Sequence, residues 1–332
     1  MQKREGERRI RIVSTGAYVP EKILTNADLE RMVDTSDEWI TSRSGIKERR
    51  IAREDQASSD LGIAAARQAL ERAGLTIKDI DVIVVAANTG DTTFPSTASW
   101  IHRGLGAAHV PAFDVGAGCT GMIYTLIVAE GLIRSGAAKR ALLIGTEILT
   151  KFTNWEDRGT CVLFGDGAGA FVVEESNDDS GLISHYWGAD GSLADLLYIP
   201  AGGSRLPTTE QTVADRLHFI RMKGNEVFKH AVRRMGEAAL VALRRAGLHK
   251  EAVDYLIPHQ ANIRIIEATA ERLKLPPEKV VINIQKYGNC SVATIPLALH
   301  ELVEEKRLKK GDIIVFDAFG AGFTWAAAVY RW

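Results

Sequence analysis

The chain has 332 residues and a mass of 36.3 kDa, which corresponds to about two domains of ordinary size. Hydrophobic residues make up 46% of the sequence and charged residues 25%, as in a typical globular protein. The 41 basic and 42 acidic residues leave a net charge of −1, which argues against a general nucleic-acid-binding protein.

The three cysteines, Cys119, Cys161 and Cys290, are widely spaced and form no Cys-x-x-Cys pair. Their odd number and their spacing argue against a disulfide framework and a structural zinc site, and suit a reducing compartment. The segment Met1–Arg9 carries six charges and no apolar core, so it does not resemble a signal peptide. No apolar stretch approaches the roughly 20 residues of a membrane helix. We expect a cytoplasmic protein without a membrane anchor.

Strands and helices are predicted to alternate through the first half of the chain. Helical spacing covers Ser58–Ala73 and Gly121–Ser135, whereas short apolar or β-branched runs cover Asp81–Ala87, Pro111–Val115 and Arg140–Gly145. Strands of this composition are typical of sheets that are covered on both faces. The alternation predicts an α/β protein built of layers.

The second half repeats the first. The segment Ala69–Leu75 returns as Ala242–Leu248, 173 residues later, and the following strand Val82–Ala87 corresponds to Tyr255–Gln260. Each copy has the pattern of a helix closed by a glycine and followed by a buried strand. We therefore predict an ancient duplication.

The polar, turn-rich segment Glu174–Ser180 marks the predicted boundary between the two halves. It divides the chain into residues 1–175 and 176–332. A second segment, Asp190–Thr212, is rich in Gly, Pro, Ser and Thr and is predicted to be a long loop. Loops of this length inside a compact domain are usually functional.

Cys119 is the first candidate catalytic residue. It follows a predicted strand and a glycine-rich turn, and it stands where an apolar helix begins. The helix dipole is expected to lower the pKa of a thiol in this position, which favours a nucleophilic thiolate. The alternative is a small buried core cysteine.

Two further polar residues stand at comparable places in the second half. His259 follows a strand and Pro258, and Asn289 lies just before an apolar helix predicted over Val292–Val303. Each also has a structural interpretation: a histidine without a catalytic role in the first case, and a Gly-Asn turn followed by a serine N-cap in the second. The neighbouring Cys290 is interpreted as a packing residue.

The run Gly165–Gly169 does not indicate a dinucleotide site, because it precedes a strand instead of following one. The sequence also has no phosphate-binding lysine motif and no His-x-x-x-His pair, so we expect neither a nucleotide-binding module nor a metal site.

Cys119, His259 and Asn289, each in its local motif, closely resemble the active-site residues of β-ketoacyl-acyl-carrier-protein synthase III, which starts type II fatty acid synthesis. The likeness runs from Gly16–Pro20 to Phe323–Trp325. The other motifs that carry it are Asp34–Ile40, Arg43–Ile46, Phe94–Ser96 and Gly224–Lys229. The resemblance implies a thiolase-like five-layered αβαβα fold of two duplicated βαβαβ-type halves, and a homodimer.

The resemblance also separates this chain from related enzymes. The elongating synthases have a Cys-His-His set in place of Cys-His-Asn. A thiolase has a second catalytic cysteine near its C-terminus, where this chain has Phe319–Gly322. A hydroxymethylglutaryl-CoA synthase needs a glutamate near the thiol, and no matching motif is present.

The implied reaction has two steps and needs no cofactor besides the coenzyme A thioester, which is a substrate. Cys119 would take the acyl group of a short acyl-CoA, acetyl-CoA being the expected primer. Malonyl-acyl-carrier protein would then lose carbon dioxide and attack the acyl-enzyme. His259 and Asn289 would stabilise the enolate. The backbone N–H groups of Cys119 and Ala321 would form the oxyanion hole, although some family members have glycine at the second position.

The resemblance also implies the binding residues. Trp39 and Arg158 would enclose the adenine of coenzyme A, Arg43 would lie near its phosphates, and Asn225 and Asn262 would line the pantetheine channel. The carrier protein is acidic and would dock on basic side chains. These are Lys229, Arg264 and Arg272. Phe94 would reach across the dimer interface into the acyl pocket of the partner, where a bulky ring favours short primers.

Two other functions stay open at this stage. One is a related acyltransferase or a synthase that primes polyketide or quinolone assembly with another acyl-CoA. The other is a non-catalytic chain that binds carrier protein, although such chains typically lose the nucleophile that is retained here.

Overall fold

The computed structural model describes residues 9–332, so the expectation that Met1–Arg9 is not a signal peptide falls almost wholly outside the described residues. The helices are α1 (Asn26–Glu30), α2 (Asp37–Ser44), α3 (Ser58–Arg72), α4 (Thr97–Leu105), α5 (Gly121–Arg134), α6 (Arg158–Cys161), α7 (Glu210–Ala214), α8 (Gly224–Arg245), α9 (Ile263–Leu273), α10 (Ile284–Tyr287) and α11 (Thr294–Glu304). The strands are β1 (Ile10–Tyr18), β2 (Lys22–Thr25), β3 (Glu48–Ile51), β4 (Val82–Ala86), β5 (Ala112–Asp114), β6 (Arg140–Ile148), β7 (Asp166–Glu175), β8 (Gly181–Ala189), β9 (Leu197–Tyr198), β10 (Arg221–Met222), β11 (Tyr255–Pro258), β12 (Ile313–Gly320) and β13 (Thr324–Arg331).

Two sheets of matching topology form the framework. The first has the strand order β1-β7-β6-β4-β5 and the second β8-β13-β12-β11. In both, the first three strands are antiparallel and the next pairing is parallel. A parallel bridge between Leu256 and Val280 occupies the place that β5 has in the first sheet. The topology therefore confirms the duplication. The chain passes from one sheet to the other between Glu175 and Gly181, within the predicted boundary segment.

Five layers are stacked. Helices α3 and α4 cover the outer face of the first sheet, and α8 covers the outer face of the second with α9 packed beside it. Helices α5 and α11 lie between the sheets, and their apolar side chains form the central core with the inner faces of both. This αβαβα arrangement is the predicted fold class. It places the N-termini of α5 and α11, the pseudo-equivalent central helices, in one region.

The repeated helix-glycine pattern has the predicted geometry. Gly74 follows α3 with a φ of 66°, and Gly247 follows α8 with a φ of 67°. Left-handed backbone of this kind is open to glycine at little cost, which ends both helices at equivalent points.

Differences from the predicted elements are small. The predicted helix Val292–Val303 begins as a 3₁₀ turn over Ser291–Ala293, and α11 itself begins at Thr294. The predicted loop Asp190–Thr212 contains a 3₁₀ segment, β9 and the start of α7. Within residues 9–332, no helix has both the length and the apolar character needed to cross a bilayer.

Candidate active site

Cys119 lies in the 3₁₀ turn Gly118–Thr120, directly before α5. This turn touches the end of β12 so closely that only glycine fits at two places. A Cβ on Gly118 would lie 2.6 Å from the Ala321 carbonyl oxygen, and one on Gly320 would lie 2.3 Å from the Cys119 nitrogen. Because both positions lack a side chain, the Ala321 N–H can donate a hydrogen bond to the thiol.

His259 immediately follows β11 and is 2% exposed. Its backbone N–H donates to the Asp317 carbonyl oxygen at 2.7 Å, which continues the pairing of β11 with β12 past Pro258. Its Nδ1 lies 2.7 Å from the Thr294 hydroxyl. The position of the imidazole ring is therefore fixed by the backbone hydrogen bond of His259 and by the contact of Nδ1 with Thr294.

Asn289 stands in the loop before α11 and is 7% exposed. Its backbone N–H donates to the Leu163 carbonyl oxygen at 2.9 Å. The Ser291 N–H donates to its Oδ1 at 2.8 Å. Because the oxygen of the side chain is engaged in this way, its NH₂ group remains as the donor.

Ser291 connects the three candidate residues and was not predicted as part of the site. Its hydroxyl lies 3.3 Å from the Cys119 sulfur, and its N–H holds Asn289. Its carbonyl oxygen lies 2.9 Å from the hydroxyl of Thr294, which contacts His259. The sequence interpretation of Ser291 as a helix N-cap is wrong, because the structure has Cys290 at the cap position of the 3₁₀ turn.

The pKa of the Cys119 thiol differs from the prediction. Burial raises the pKa of Cys119 to about 11, and the hydrogen bonds from Ser291 and from the backbone of Ala321 lower it only in part. The expectation of a thiol pKa lowered by the helix dipole is therefore wrong, because desolvation outweighs the donors. Formation of the thiolate therefore depends on those donors.

Burial also lowers the pKa of His259 to about 3, so the imidazole is neutral at physiological pH. Which nitrogen carries the proton depends on Thr294, whose single hydroxyl hydrogen has two acceptors within reach, Nδ1 of His259 and the Ser291 carbonyl oxygen. Donation to Nδ1 leaves the proton on Nε2, and the ring is then a hydrogen-bond donor toward the site.

The depressed pKa of His259 predicts a pH-dependent stability. The unfolded chain takes up this proton near pH 6.5, whereas the folded chain does so only near pH 3, so acidification through this window favours unfolding. His259→Gln removes the effect. The free energy of unfolding, measured with urea between pH 7.5 and 4.5, should fall less steeply in the variant, by up to about 1.4 kcal/mol per pH unit.

His249→Gln, which removes an exposed histidine, is the matched control and should keep the wild-type slope. Equal slopes for wild type and His259→Gln would contradict the assignment of a buried, neutral imidazole.

Trp39 and two arginines form a cation–π cluster on the surface. The guanidinium carbons of Arg43 and Arg158 each lie 4.9 Å from the centroid of the Trp39 ring. Arg158 also donates to the Asp34 carbonyl oxygen at 2.9 Å. A flat base stacked on both sides needs about 7 Å between its neighbours, so Arg158 has to move if it is to enclose a base with Trp39.

The two predicted channel asparagines have different settings. Asn225 is exposed in the first turn of α8. Asn262 is the N-cap of α9, where its Oδ1 accepts from the Arg264 N–H at 2.9 Å. The capping bond occupies the side-chain oxygen of Asn262 and leaves its NH₂ group as a donor.

The three predicted docking residues are exposed on α8 and α9. Lys229 is paired with Glu226 at 2.8 Å, and the guanidinium carbon of Arg264 lies 5.0 Å from the centroid of the Phe228 ring. The stem of Arg272 crosses α8 at Gly236, where a Cβ would lie 2.3 Å from Cδ.

Phe94 lies in the loop before α4 with 85% of its surface exposed, more than any other large hydrophobic residue described. Cys290 is fully buried, and its Sγ donates to the Tyr287 carbonyl oxygen. Burial raises the pKa of this thiol well above its ordinary value, as expected for a packing residue. Within residues 9–332, no three His, Cys, Asp or Glu side chains are grouped so that they could hold a metal ion.

Comparison with known proteins identifies the family. The 3-oxoacyl-(acyl-carrier-protein) synthase III model matches residues 113–191, and the model of its C-terminal region matches residues 243–332. The chain is 54% identical over 321 residues to the beta-ketoacyl-(acyl-carrier-protein) synthase III of Caldanaerobacter subterraneus subsp. tengcongensis, covering 97% of each chain.

Solved structures of similar proteins support the same family. The 3-oxoacyl-(acyl-carrier-protein) synthase III of Aquifex aeolicus VF5 is 48% identical with a TM-score of 0.90, over 98% of this chain and 100% of the other. The priming β-ketosynthase of the R1128 polyketide pathway is 34% identical with a TM-score of 0.90, over 100% and 98% of the two chains. The chain therefore belongs to the β-ketoacyl-acyl-carrier-protein synthase III family of condensing enzymes.

Proposed function

We propose that this enzyme condenses a short acyl-CoA, acetyl-CoA by preference, with malonyl-acyl-carrier protein to give a 3-oxoacyl-acyl-carrier protein. The observation that carries the proposal is the convergence of Cys119, His259 and Asn289 on Ser291 and Thr294 at the N-terminus of α11. One nucleophile and two neutral hydrogen-bond donors suit a reaction that develops negative charge first on a thioester oxygen and then on an enolate oxygen.

In the first step, the Cys119 sulfur attacks the acyl carbonyl carbon of the acyl-CoA. The C–S bond to coenzyme A breaks, and the thiol proton leaves with the coenzyme A thiolate. The oxyanion is held by the backbone N–H groups of Cys119 and Ala321, which also lower the pKa of the Cys119 thiol. A methyl group at Ala321 leaves its N–H in place.

In the second step, the malonyl group loses carbon dioxide and the electron pair moves into an enolate. His259, which carries its proton on Nε2 when Thr294 donates to Nδ1, and the NH₂ group of Asn289 donate to the enolate oxygen. The enolate carbon then attacks the acyl-enzyme carbonyl, and the C–S bond to Cys119 breaks. No separate base is needed for carbon–carbon bond formation, because decarboxylation generates the nucleophile.

Coenzyme A is proposed to bind as substrate with its adenine between Trp39 and Arg158. Arg43 is placed beside the same indole ring, where its charge would favour the phosphates. Asn225 and Asn262, near the start of α8 and α9, are proposed to line the pantetheine path.

Carrier-protein docking on the basic face of α8 and α9 gives a testable prediction. Arg264→Glu places a negative charge against an acidic partner, so the KM for malonyl-acyl-carrier protein should rise roughly 5- to 20-fold. The KM for acetyl-CoA should stay within about twofold. Steady-state kinetics with each substrate varied measures both values.

Lys78→Glu makes the same change in net charge at an exposed position of the first half and should leave both KM values unchanged. An equal rise in the two KM values of Arg264→Glu would contradict a docking role.

A homodimer is proposed, with Phe94 covered by the partner subunit. An exposed aromatic ring of this kind is typical of interaction surfaces. If Phe94 also closes the acyl pocket of the partner, Phe94→Ala should enlarge the pocket and raise the ratio of octanoyl to acetyl transfer by at least about tenfold, since each added methylene contributes about 0.8 kcal/mol when buried.

Competition of the two acyl-CoAs for the enzyme measures that ratio, and size-exclusion chromatography checks that the variant remains dimeric. An unchanged preference in a dimeric variant would contradict the assignment of Phe94 to the acyl pocket.

The experiment that tests the proposed function is the transfer of acyl groups from acetyl-, isobutyryl- and octanoyl-CoA to the enzyme, followed by condensation with malonyl-acyl-carrier protein. Preference for acetyl-CoA supports initiation of fatty acid synthesis, which we propose to take place in the cytoplasm. Preference for another primer would favour a role in specialised metabolism, for which the likeness to a polyketide priming ketosynthase is the supporting observation.

A further inference from the structure

Glu147, near the end of β6, is a fully buried carboxylate close to the active site that the proposed reaction does not use. Donors surround it: the backbone N–H groups of Asn88 and Thr89, the Asn88 side-chain NH₂ group and the Thr89 hydroxyl. The Ile148 N–H donates to the Thr89 oxygen at 2.8 Å, so the single Thr89 hydrogen is directed to Glu147. Burial raises the pKa of Glu147, and these hydrogen bonds lower it in part. In its ionised form, a carboxyl group with these partners is a strong hydrogen-bond acceptor.

Glu147 fixes the orientation of the Asn88 amide. A carboxylate flanked by donors has to be met by the NH₂ group of an asparagine and not by its oxygen. The same Nδ2 of Asn88 lies 3.2 Å from the Ser291 hydroxyl oxygen. Its two hydrogens are therefore divided between Glu147 and Ser291.

The hydroxyl of Ser291 is directed in turn. Because its oxygen accepts from Asn88, its own hydrogen is free to point to the Cys119 sulfur, 3.3 Å away. The backbone of Ser291 is strained in this arrangement. Its φ of 47° lies in the left-handed region, which is uncommon for serine. Strained residues of this kind are typical of functional sites.

We propose that Glu147 and Asn88 are positioning residues that orient the Ser291 hydroxyl as a hydrogen-bond donor to the Cys119 sulfur, and that this donor stabilises the thiolate that attacks the acyl-CoA. The inference rests on the proposed role of Cys119 as nucleophile. It assigns Ser291 to the catalytic site, because its hydroxyl touches the reacting atom.

The contacts through Asn88 and Ser291 explain how the buried Glu147 can lie near Cys119, whose thiol has to ionise. The charge of Glu147 by itself raises the pKa of Cys119, and the Ser291 hydroxyl lowers it. The Ser291 hydroxyl also lowers the pKa of Glu147, so the carboxyl group competes with the sulfur for its single hydrogen. Without the Asn88 amide on the hydroxyl oxygen, the hydrogen would turn to Glu147 and the sulfur would lose its donor. The other titratable groups near this cluster are His259, which Thr294 connects to Ser291, and Cys290, whose pKa is raised by burial and by the charges of Asp166 in β7 and of Glu147.

The experiment measures the pH dependence of alkylation of Cys119 by iodoacetamide, with peptide mass spectrometry to separate this thiol from Cys161 and Cys290. Ser291→Ala should raise the apparent thiol pKa by about one unit, which slows alkylation about tenfold at a fixed pH below it. Asn88→Ala should produce most of the same shift. The double variant should shift no further than Ser291→Ala, because both changes remove one donor.

Ser291→Gly removes the same hydroxyl, and glycine adopts a positive φ at little cost. This variant therefore repeats the test without the backbone strain of a residue with a side chain. Thr125→Ala removes a buried hydroxyl from α5 that donates within its own helix and should keep the wild-type profile. A wild-type profile for Asn88→Ala, or additive shifts in the double variant, would overturn the proposal. The readout needs no acyl-CoA, so its failure is distinct from a failure of acyl transfer to Cys119.

Discussion

Cys119→Ala is expected to abolish the condensation of acyl-CoA with malonyl-acyl-carrier protein. The variant has no atom that can hold the acyl group, and loss of a nucleophile of this kind reduces turnover by on the order of 10⁴-fold or more. Release of carbon dioxide from malonyl-acyl-carrier protein should continue at a measurable rate, because His259 and Asn289 remain. Radiolabelled acetyl-CoA and malonyl-acyl-carrier protein report the two activities in separate assays.

Cys290→Ala is the matched control, since it removes a buried thiol that the proposed reaction does not use. This variant should accept the acyl label like the wild type if it folds, which its thermal unfolding will show. Acyl labelling retained in Cys119→Ala and lost in Cys290→Ala would exchange the roles assigned to the two cysteines.

His259→Ala and Asn289→Ala are expected to separate the two half-reactions. Each variant loses one donor to the enolate oxygen, and the rate of condensation should fall about 10²- to 10³-fold. Acylation of Cys119 should persist, because its oxyanion donors are the backbone N–H groups of Cys119 and Ala321. Rapid-quench measurement of acyl-enzyme formation, followed by addition of malonyl-acyl-carrier protein, resolves the two steps.

Thr125→Ala, which also truncates a buried polar side chain next to the central core, controls for a general loss of packing. If either site variant blocked acylation while it retained a wild-type unfolding transition, the division of roles between the two half-reactions would be wrong.

The fold could be predicted largely from local patterns. The repeat of Ala69–Leu75 as Ala242–Leu248 pointed to duplication, and the matching φ values of Gly74 and Gly247 show its physical basis. Cys119 could likewise be singled out, because a reactive side chain at the end of a strand and the start of a helix has a recognisable local sequence.

The contacts around the thiol could not be predicted in the same way. Asn88 lies 59 residues from Glu147 and 203 residues from Ser291, and no local spacing connects them. The prediction of the thiol pKa was wrong for a related reason. The helix dipole can be inferred from neighbours in the sequence, whereas desolvation of the sulfur depends on the approach of the turn at Gly118 to the end of β12 at Gly320.

The most direct test of the proposed reaction follows one acyl group through both steps. The enzyme is incubated with acetyl-CoA, its intact mass is measured, and malonyl-acyl-carrier protein is then added. We predict one acetyl adduct, absent in Cys119→Ala, that disappears on the second addition as 3-oxobutanoyl-acyl-carrier protein and carbon dioxide form. No adduct from acetyl-, isobutyryl- or octanoyl-CoA, or an adduct that malonyl-acyl-carrier protein leaves in place, would contradict the proposed reaction.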